Sequence, residues 1–179
     1  IQPLPKKDNW FVKKYNLLEK RVILYSGNMG ATHDLMTPLK AAKKLMKISP
    51  EFHFLYIGDG VQKKALMSYK LKNNLLNVTF LPYQKPEVLP YSFSSADFGI
   101  VSLGSGAEGL SVPSKTFYFL AAGSTIIAIT EKGSEIDFLV KNNNCGVSIE
   151  PNNVDTFIKF LIETSLKELT YFKKNSRLI

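Results

Sequence analysis

Short apolar runs alternate with amphipathic segments along most of the chain. The apolar runs cover residues 22–26, 52–57, 77–81, 97–103, 125–130 and 146–149, and such runs are typical of strands buried on both faces of a parallel sheet. Between them apolar residues recur at helical spacing, as at Leu35, Leu39 and Ala42. The pattern predicts helices over residues 35–48, 61–72, 114–122, 133–141, 154–166 and 169–178, with a short one ending at 95. We therefore expect an α/β fold, a parallel sheet of about six strands with helices on both faces.

The composition is that of a globular domain of ordinary size. The 179 residues are 45% hydrophobic and 21% charged, and no apolar run approaches the roughly 20 residues of a membrane-spanning helix. The Pro/Lys-rich residues 1–20 are predicted to form an N-terminal linker, and residues 21–179 one domain. The chain begins with neither a Met nor an apolar leader, so we expect a piece of a longer protein.

The net charge of the chain limits the kinds of ligand that it is expected to bind. A formal net charge of +8 attracts nucleic acids, anionic lipids and phosphorylated small molecules alike. The lysines are scattered and do not alternate with exposed aromatics, which argues against nucleic-acid binding. Peripheral association with an anionic membrane fits the basic surface. Cys145 is the only cysteine, so it excludes an internal disulfide and fits a cytoplasmic location, including the inner face of the membrane.

The most informative segment is the Gly/Ser-rich loop 104–115, between an apolar strand and a helix. The helix begins at Ser114-Lys115, and free N–H groups at a helix start favour phosphate. The single carboxylate of the loop, Glu108, suits hydroxyl groups instead. Phosphate donors beside a hydroxyl acceptor suggest a nucleotide-sugar.

Two further loops follow predicted strands and should meet at the same sheet edge. The first contains Gly27, Asn28, Gly30 and His33, where the glycines permit close approach of a ligand and a protonated His33 would meet phosphate. The second contains Gly58 and Gly60. Each also has a purely structural interpretation, as a tight turn in which an aspartate (Asp34 or Asp59) caps the next helix.

Several common chemistries lack their motifs. The first loop, residues 27–34, is neither the Gly-x-Gly-x-x-Gly dinucleotide fingerprint nor a Walker loop, and no Gly-x-Ser-x-Gly elbow of a serine hydrolase precedes a helix. His33 and His53 are the only histidines, and His53 lies within a predicted strand, where a structural role is expected. With no cluster of metal-ligating residues, we expect neither a metal nor a cofactor.

Taken in order, the loops resemble one family, the family-4 glycosyltransferases with the GT-B fold. The chain resembles the C-terminal, donor-binding, Rossmann-like domain of these enzymes, and the resemblance covers nearly the whole chain from Arg21. It rests on the following motifs: Tyr-Ser-Gly-Asn-Met-Gly-x-x-His-Asp-Leu35, Tyr-Ile-Gly-Asp-Gly60, Asn77-Val-x-Phe-Leu-Pro-Tyr83, Ser95-Ala-Asp97, Ala107-Glu-Gly-Leu-x-Val-Pro-Ser-Lys115, Leu120-Ala-Ala-Gly123 and Cys145-Gly-x-x-Ile-Glu-Pro151. The subgroup that it resembles adds amino-sugars such as N-acetylfucosamine to lipid-linked precursors of O antigen or capsule.

The resemblance implies roles for individual residues. Where many members have an Arg and a Lys that hold the diphosphate, this chain has Asn28 and His33. Glu108 matches the first acid of the family, beside the donor sugar, and Tyr118 stands where a second acid would bind the ribose. Lys115 is the candidate that replaces the lost phosphate charge. The motifs also place three donor-binding residues around these positions, namely Gly109, Leu110 and Ser114.

The implied reaction is transfer of a sugar from a nucleotide diphosphate, with UDP expected, and with retention of configuration. The lipid-linked acceptor would bind an N-terminal domain that this chain lacks, so the fragment alone is expected to bind the donor and transfer nothing. Two alternatives stay open: a UDP-sugar 2-epimerase of the same fold, and a non-catalytic nucleotide-binding α/β module.

Overall fold

The computed structural model describes residues 1–104 and 112–179. Its strands are β1 (Arg21–Ser26), β2 (Phe52–Ile57), β3 (Val78–Leu81), β4 (Phe98–Ser102), β5 (Thr125–Ile129) and β6 (Gly146–Ile149). Its α-helices are α1 (Trp10–Lys14), α2 (Met36–Ile48), α3 (Lys63–Lys72), α4 (Leu89–Ser94), α5 (Lys115–Ala122), α6 (Glu135–Asn142), α7 (Val154–Glu163) and α8 (Leu166–Ser176). Single 3-10 turns lie at Lys6–Asp8 and Pro86–Val88.

The strands form one parallel sheet in the order β3-β2-β1-β4-β5-β6. This confirms the predicted fold class. The order reverses between β1 and β4, and in open parallel sheets ligands bind at the carboxyl ends of strands at such a reversal. The fold itself therefore directs attention to the loops that follow β1 and β4.

Side chains of successive strand residues pack into two separate cores. Along β1, Ile23 and Tyr25 point into a core shared with α2, α3 and α7. Val22 and Leu24 point into the opposite core, shared with α1, α4, α5 and α6. Both faces of the central strands are thus covered, which explains why these strands are nearly continuous apolar runs in the sequence.

Helix α5 packs unusually close to β4. A Cβ atom on Gly99 would lie 2.4 Å from two ring carbons of Phe119, so a larger residue at position 99 would force the Phe119 ring or its helix to move. Phe119 is itself fully buried. The contact determines where the N-terminus of α5 lies at the carboxyl edge of the sheet.

The N-terminal segment folds against the domain, whereas the sequence predicts a linker there. Phe11, Val12 and Leu17 are buried in the core beneath α4. Asn9 caps α1 by accepting a hydrogen bond from the N–H of Phe11 (2.9 Å), and its side-chain amide donates to the carbonyl of Tyr91 (2.8 Å). The apolar run is only a few residues long, too short for periodicity to reveal it among prolines and lysines.

The ends of the last two helices also differ from the prediction. Helix α7 ends at Glu163, and α8 begins after Ser165. The Ser165 hydroxyl accepts from the N–H of Glu168, and the Glu168 carboxylate accepts from the N–H of Ser165. This capping box starts α8 earlier than apolar spacing suggests. Among the described helices, none is both long and apolar enough to cross a membrane.

A buried carboxylate joins several elements at the amino edge of the sheet. Asp97, just before β4, is only 6% exposed. It accepts hydrogen bonds from the ammonium groups of Lys6 (2.5 Å) and Lys173 (2.6 Å) and from the N–H of Val22 (2.9 Å). Burial alone would raise the pKa of Asp97, but the Lys173 and Lys6 charges outweigh it and hold that pKa below its usual 3.8.

Asp97→Asn is expected to lower the free energy of unfolding at pH 7 by about 2–3 kcal/mol, because it leaves two partly buried lysines without their counterion. A carboxyl group whose pKa is depressed by folding stabilises the fold above its unfolded pKa and loses that effect as pH falls through the folded pKa. Urea unfolding should therefore show the gap between the wild type and the variant narrowing below pH of about 3.8.

The matched control is Asp155→Asn, which breaks an exposed pair with Lys44. Its expected cost is below about 1 kcal/mol at any pH. A cost for Asp97→Asn that does not change with pH would contradict the ion-pair interpretation.

Candidate functional site

The carboxyl ends of β1 and β2 and the start of α5 converge on one lysine. Lys115 is the first residue of α5, and its ammonium donates to the hydroxyl of Tyr25 (3.0 Å). The same ammonium lies 4.2 Å from the centroid of the Tyr25 ring. A Cβ on Gly27 would be 3.3 Å from the Lys115 ammonium, so the ammonium lies close to the backbone of a residue that has no side chain. Gly27 has a φ of +139°, which favours glycine.

This lysine is held largely out of water. Burial lowers the pKa of Lys115 to about 8. Within residues 1–104 and 112–179, its ammonium makes no ion pair with a carboxylate. A partly desolvated cation is suited to an anionic ligand, which would restore its charged form.

His33 completes the cluster through its Nδ1 atom. Nδ1 lies 2.8 Å from the Tyr25 hydroxyl and 3.1 Å from the carbonyl oxygen of Asn28. A carbonyl can only accept, so a hydrogen bond there places the proton on Nδ1 and leaves Nε2 as the acceptor of the neutral ring. The Tyr25 hydroxyl also donates to the carbonyl of Asn28. One tyrosine thus connects the lysine, the histidine and the loop that follows β1.

The surroundings of His33 disfavour the positive charge that the sequence analysis assigns to it. Burial, followed by the nearby charge of Lys115, lowers the pKa of His33 below 6.5. The ring is therefore neutral at pH 7 in this structure. A positive charge on His33 requires an anion close enough to outweigh Lys115.

The two glycines of the second loop are required by contact between loops. A Cβ on Gly58 would lie 2.0 Å from the carbonyl oxygen of Gly27. A Cβ on Gly60 would lie 2.6 Å from the carbonyl oxygen of Met29. The N–H of Met29 donates to the carbonyl of Asp59 (2.7 Å). The loops after β1 and β2 therefore form one closely packed unit.

Polar side chains beneath the first loop hold its shape. Gln62 donates from its side-chain amide to the carbonyls of Gly30 and His33, the latter at 2.7 Å. The Ser102 hydroxyl, at the end of β4, accepts from the N–H of Asp34 (2.8 Å). Asp34 in turn accepts from the N–H of Thr37 in α2 (3.0 Å), so it acts at the start of that helix as the structural interpretation expects.

The structure brings together seven of the residues that sequence reasoning selected. They are Gly27, Asn28, Gly30, His33, Gly58, Gly60 and Lys115, connected by the contacts above. Their role in binding remains a prediction. His53 lies elsewhere, inside β2, where its ring nitrogen is 2.9 Å from the Thr79 hydroxyl, in keeping with a structural role.

The remaining predicted residues are placed differently. Ser114 is exposed and makes no capping hydrogen bond to α5. Tyr118 packs its ring against Phe93 of α4, at 5.3 Å between centroids, and among the described residues it makes no hydrogen bond to Lys115, Tyr25 or His33. Glu108, Gly109 and Leu110 lie outside the described residues. Across the parts of the chain that are described, no three His, Cys, Asp or Glu side chains gather to hold a metal ion.

Comparison with known proteins identifies the family. Residues 6–179 match the family described as glycosyl transferases group 1. The chain belongs to the group 1 glycosyltransferases. The match includes α1, in agreement with the folding of the N-terminal segment against the domain.

Two curated glycosyltransferases are similar in sequence. The probable glycosyltransferase WbjE of Pseudomonas aeruginosa is 28% identical over 153 residues, which cover 86% of this chain and 38% of WbjE. The putative colanic acid biosynthesis glycosyl transferase WcaI of Escherichia coli K12 is 29% identical over 140 residues, 78% of this chain and 34% of WcaI. The chain thus spans little more than a third of the length of these relatives.

A solved structure confirms the fold of this glycosyltransferase domain. HepE of Anabaena, solved in complex with UDP-glucose, superposes with a TM-score of 0.81 at 13% identity, over 99% of this chain and 48% of HepE. At that identity the match concerns architecture, and it identifies the chain as one Rossmann-like half of a GT-B fold.

Sequence reasoning missed Tyr25 and Gln62, which organise the candidate site through their hydrogen bonds. Tyr25 lies in an apolar strand, where the sequence pattern predicts a core residue. Its ring is indeed buried in the core. Its hydroxyl projects to the sheet edge, where burial and nearby Tyr83 raise its pKa above 10 and keep it protonated. One signal in the sequence could have identified Tyr25: it is the next-to-last residue of a strand that leads into a glycine-containing loop.

Tyr25→Phe is expected to lower the pKa of Lys115 from about 8 toward 7, because the ring remains but the ammonium loses a hydrogen-bond acceptor that favours its charged form, an effect of about one unit. NMR titration of the Lys115 side chain measures this directly, without any ligand.

Tyr56→Phe is the control, since Tyr56 also buries a hydroxyl, which donates to the carbonyl of Leu35 (3.1 Å) away from Lys115. It should leave the titration of Lys115 unchanged. An unaltered or higher pKa of Lys115 in Tyr25→Phe would show that the hydroxyl does not support the charge.

Proposed function

We propose that this chain is the donor-binding half of a retaining glycosyltransferase whose donor is a UDP-sugar. The observation that carries the proposal is the desolvated Lys115 at the start of α5, directly over the backbone of Gly27. This is a place for a diphosphate, because the lysine charge and the N-terminal dipole of α5 act on the same point.

The chemical task of such a site is to stabilise the departing nucleotide diphosphate. Negative charge grows on the leaving oxygen as the sugar bond breaks, and a preorganised cation in a water-poor site counters it effectively. Lys115 supplies that cation in this proposal. His33 becomes a second one when the diphosphate raises its pKa, so we expect donor binding to be accompanied by proton uptake.

The sugar side of the site rests on family resemblance. We assign Glu108, with Gly109 and Leu110, to the donor sugar, and Tyr118 to the ribose through its hydroxyl. The transferred group in this proposal is an N-acetylated amino-sugar.

The acceptor in this proposal is a lipid-linked saccharide of bacterial surface polysaccharide synthesis, at the inner face of the cytoplasmic membrane. The biosynthetic name of WcaI, colanic acid, supports this setting. The acceptor would bind a domain that precedes this one, and the chain covers only 38% of WbjE and 34% of WcaI, which leaves room for such a domain in proteins of that length. The isolated chain should therefore bind UDP and transfer nothing.

A UDP-sugar 2-epimerase of the same fold is the competing enzyme. Incubation of the full-length protein with UDP-N-acetyl-sugar, with and without lipid-linked acceptor, separates the two reactions. Acceptor-dependent transfer supports the proposal, whereas release of an epimerised sugar without acceptor refutes it.

Lys115→Met is expected to weaken UDP binding roughly ten- to 150-fold, corresponding to a lost charged hydrogen bond of about 1.5–3 kcal/mol. For the wild type, affinity should fall as pH rises above about 8, where the ligand-free lysine loses its proton, because UDP binds the charged form. Isothermal titration calorimetry between pH 7 and 9.5 measures both effects.

Lys159→Met removes an exposed lysine from α7 and should retain wild-type affinity and pH dependence. Methionine preserves the length of the lysine stem, so lost packing is kept small in both variants. Equal affinity of Lys115→Met and wild type for UDP would remove Lys115 from the phosphate site.

Glu108→Gln is expected to reduce affinity for the UDP-sugar more than affinity for UDP. A neutral amide is a weaker hydrogen-bond acceptor for sugar hydroxyls than a carboxylate, and the proposal assigns Glu108 to the sugar rather than to the diphosphate. Competitive calorimetry with the two ligands gives the ratio. An equal loss for both ligands would place Glu108 away from the sugar.

A further inference from the structure

The net charge of the chain is concentrated on two neighbouring helices. Helix α2 and its flanks, residues 35–50, contain four lysines, and residues 60–77 around α3 contain four more, with no Asp, Glu or Arg in either segment. These eight lysines equal the formal net charge of +8, and the other 15 basic residues match the 15 acidic ones. The two helices therefore carry much of the positive charge of the chain, although Lys63 donates to the carbonyl of Gly58 (3.0 Å) and pairs with Asp59 (3.2 Å) at the carboxyl edge of the sheet.

The lysines of α2 form one continuous stripe. Lys40, Lys43, Lys44 and Lys47 are all exposed and follow helical spacing, while Leu39 and Leu45 on the other side of the helix are fully buried. Lys44 pairs with Asp155 at 2.7 Å, but both side chains are exposed and such pairs contribute little. The stripe thus projects a nearly uncompensated positive potential.

Helix α3 adds apolar side chains to this charge. Its exposed stripe runs from Lys64 through Met67 to Leu71, which is 75% exposed. Leu76, just beyond the helix, is 78% exposed. Ile48, the last residue of α2, is 65% exposed. Aliphatic groups among lysines are the composition of peripheral membrane surfaces, where lysines meet anionic headgroups and aliphatic chains enter the boundary below them.

A groove between the two helices lies within this surface. It has a volume of about 650 Å³ and is lined by the four α2 lysines together with Met46 and Tyr69. Both Met46 and Tyr69 pack against the core, so the floor of the groove is firm. The groove has room for a phospholipid headgroup surrounded by ammonium groups.

We propose that this face, formed by the lysines and exposed aliphatic residues of α2 and α3 and termed here the lysine face, binds the surface of an anionic phospholipid bilayer. Nucleic acid is a poorer fit, because its readers use arginine and exposed aromatic rings. The lysine face has no arginine. Exposed Leu71, Leu76 and Ile48 have no function against a phosphate backbone, but they favour the boundary region of a bilayer.

The test is co-sedimentation of the chain with vesicles, without any nucleotide-sugar. One set consists of phosphatidylcholine alone and the other contains about 30% phosphatidylglycerol. Binding is expected only to the anionic set and should fall strongly between about 0.1 and 0.5 M salt. Absence of binding to anionic vesicles, or equal binding to both sets, refutes the proposal.

Charge variants locate the binding face. Lys43→Gln/Lys47→Gln is expected to lower the partition coefficient about thirty-fold, or about fivefold for each lysine. Lys7→Gln/Lys13→Gln removes the same charge from exposed positions outside the lysine face and should lower it much less. Equal losses in the two double variants would show a general charge effect and refute the assignment.

A second pair tests the aliphatic part. Leu71→Gln should weaken vesicle binding severalfold, whereas Leu178→Gln, at a leucine that is 77% exposed near the C-terminus, should not. Circular dichroism melting checks that all variants remain folded. Binding to polyuridylate tests the alternative ligand. The proposal is wrong, and the lysine face binds nucleic acid, if the chain binds this RNA at concentrations where it does not bind anionic vesicles and if Lys43→Gln/Lys47→Gln loses that binding.

Discussion

The structure depends on one requirement, that a parallel sheet be covered on both faces. Strands β1 to β6 run in the same direction, and the central ones are lined on either side by helices. Charged groups that the fold must bury are therefore placed at the two edges where strands begin and end. At the carboxyl edge lies Lys115, and at the amino edge lies Asp97.

The two edges solve the burial of a charge in opposite ways. Asp97 is surrounded by donors: two lysines and a backbone N–H. Such complete pairing is what a structural carboxylate needs. Lys115 receives only a neutral tyrosine hydroxyl and the face of its ring from the described residues. The proposed function gives this difference a meaning, because a nucleotide-sugar donor would bring its own negative charge to the carboxyl edge.

The fold was predictable because its signal is repeated in every strand. Apolar runs that alternate with amphipathic segments predict a parallel sheet of about six strands, and the structure has such a sheet. The site was predictable only where loops are unusual in composition, as at Gly27 and Lys115. Tyr25 escaped because the same residue satisfies the core pattern and the site at once. The N-terminal helix escaped because Phe11 and Val12 form too short a run, and its capping Asn9 binds α4 through a contact distant in sequence.

The close fit of Phe119 against Gly99 reaches beyond packing. Because residue 99 is a glycine, the Phe119 ring packs directly on the backbone of β4 and brings α5, with Lys115 at its start, close to the sheet. Part of the cost of organising the proposed phosphate site is thus met when the chain folds, before a ligand arrives. In the proposed function, donor binding therefore depends also on an apolar contact that the donor does not touch.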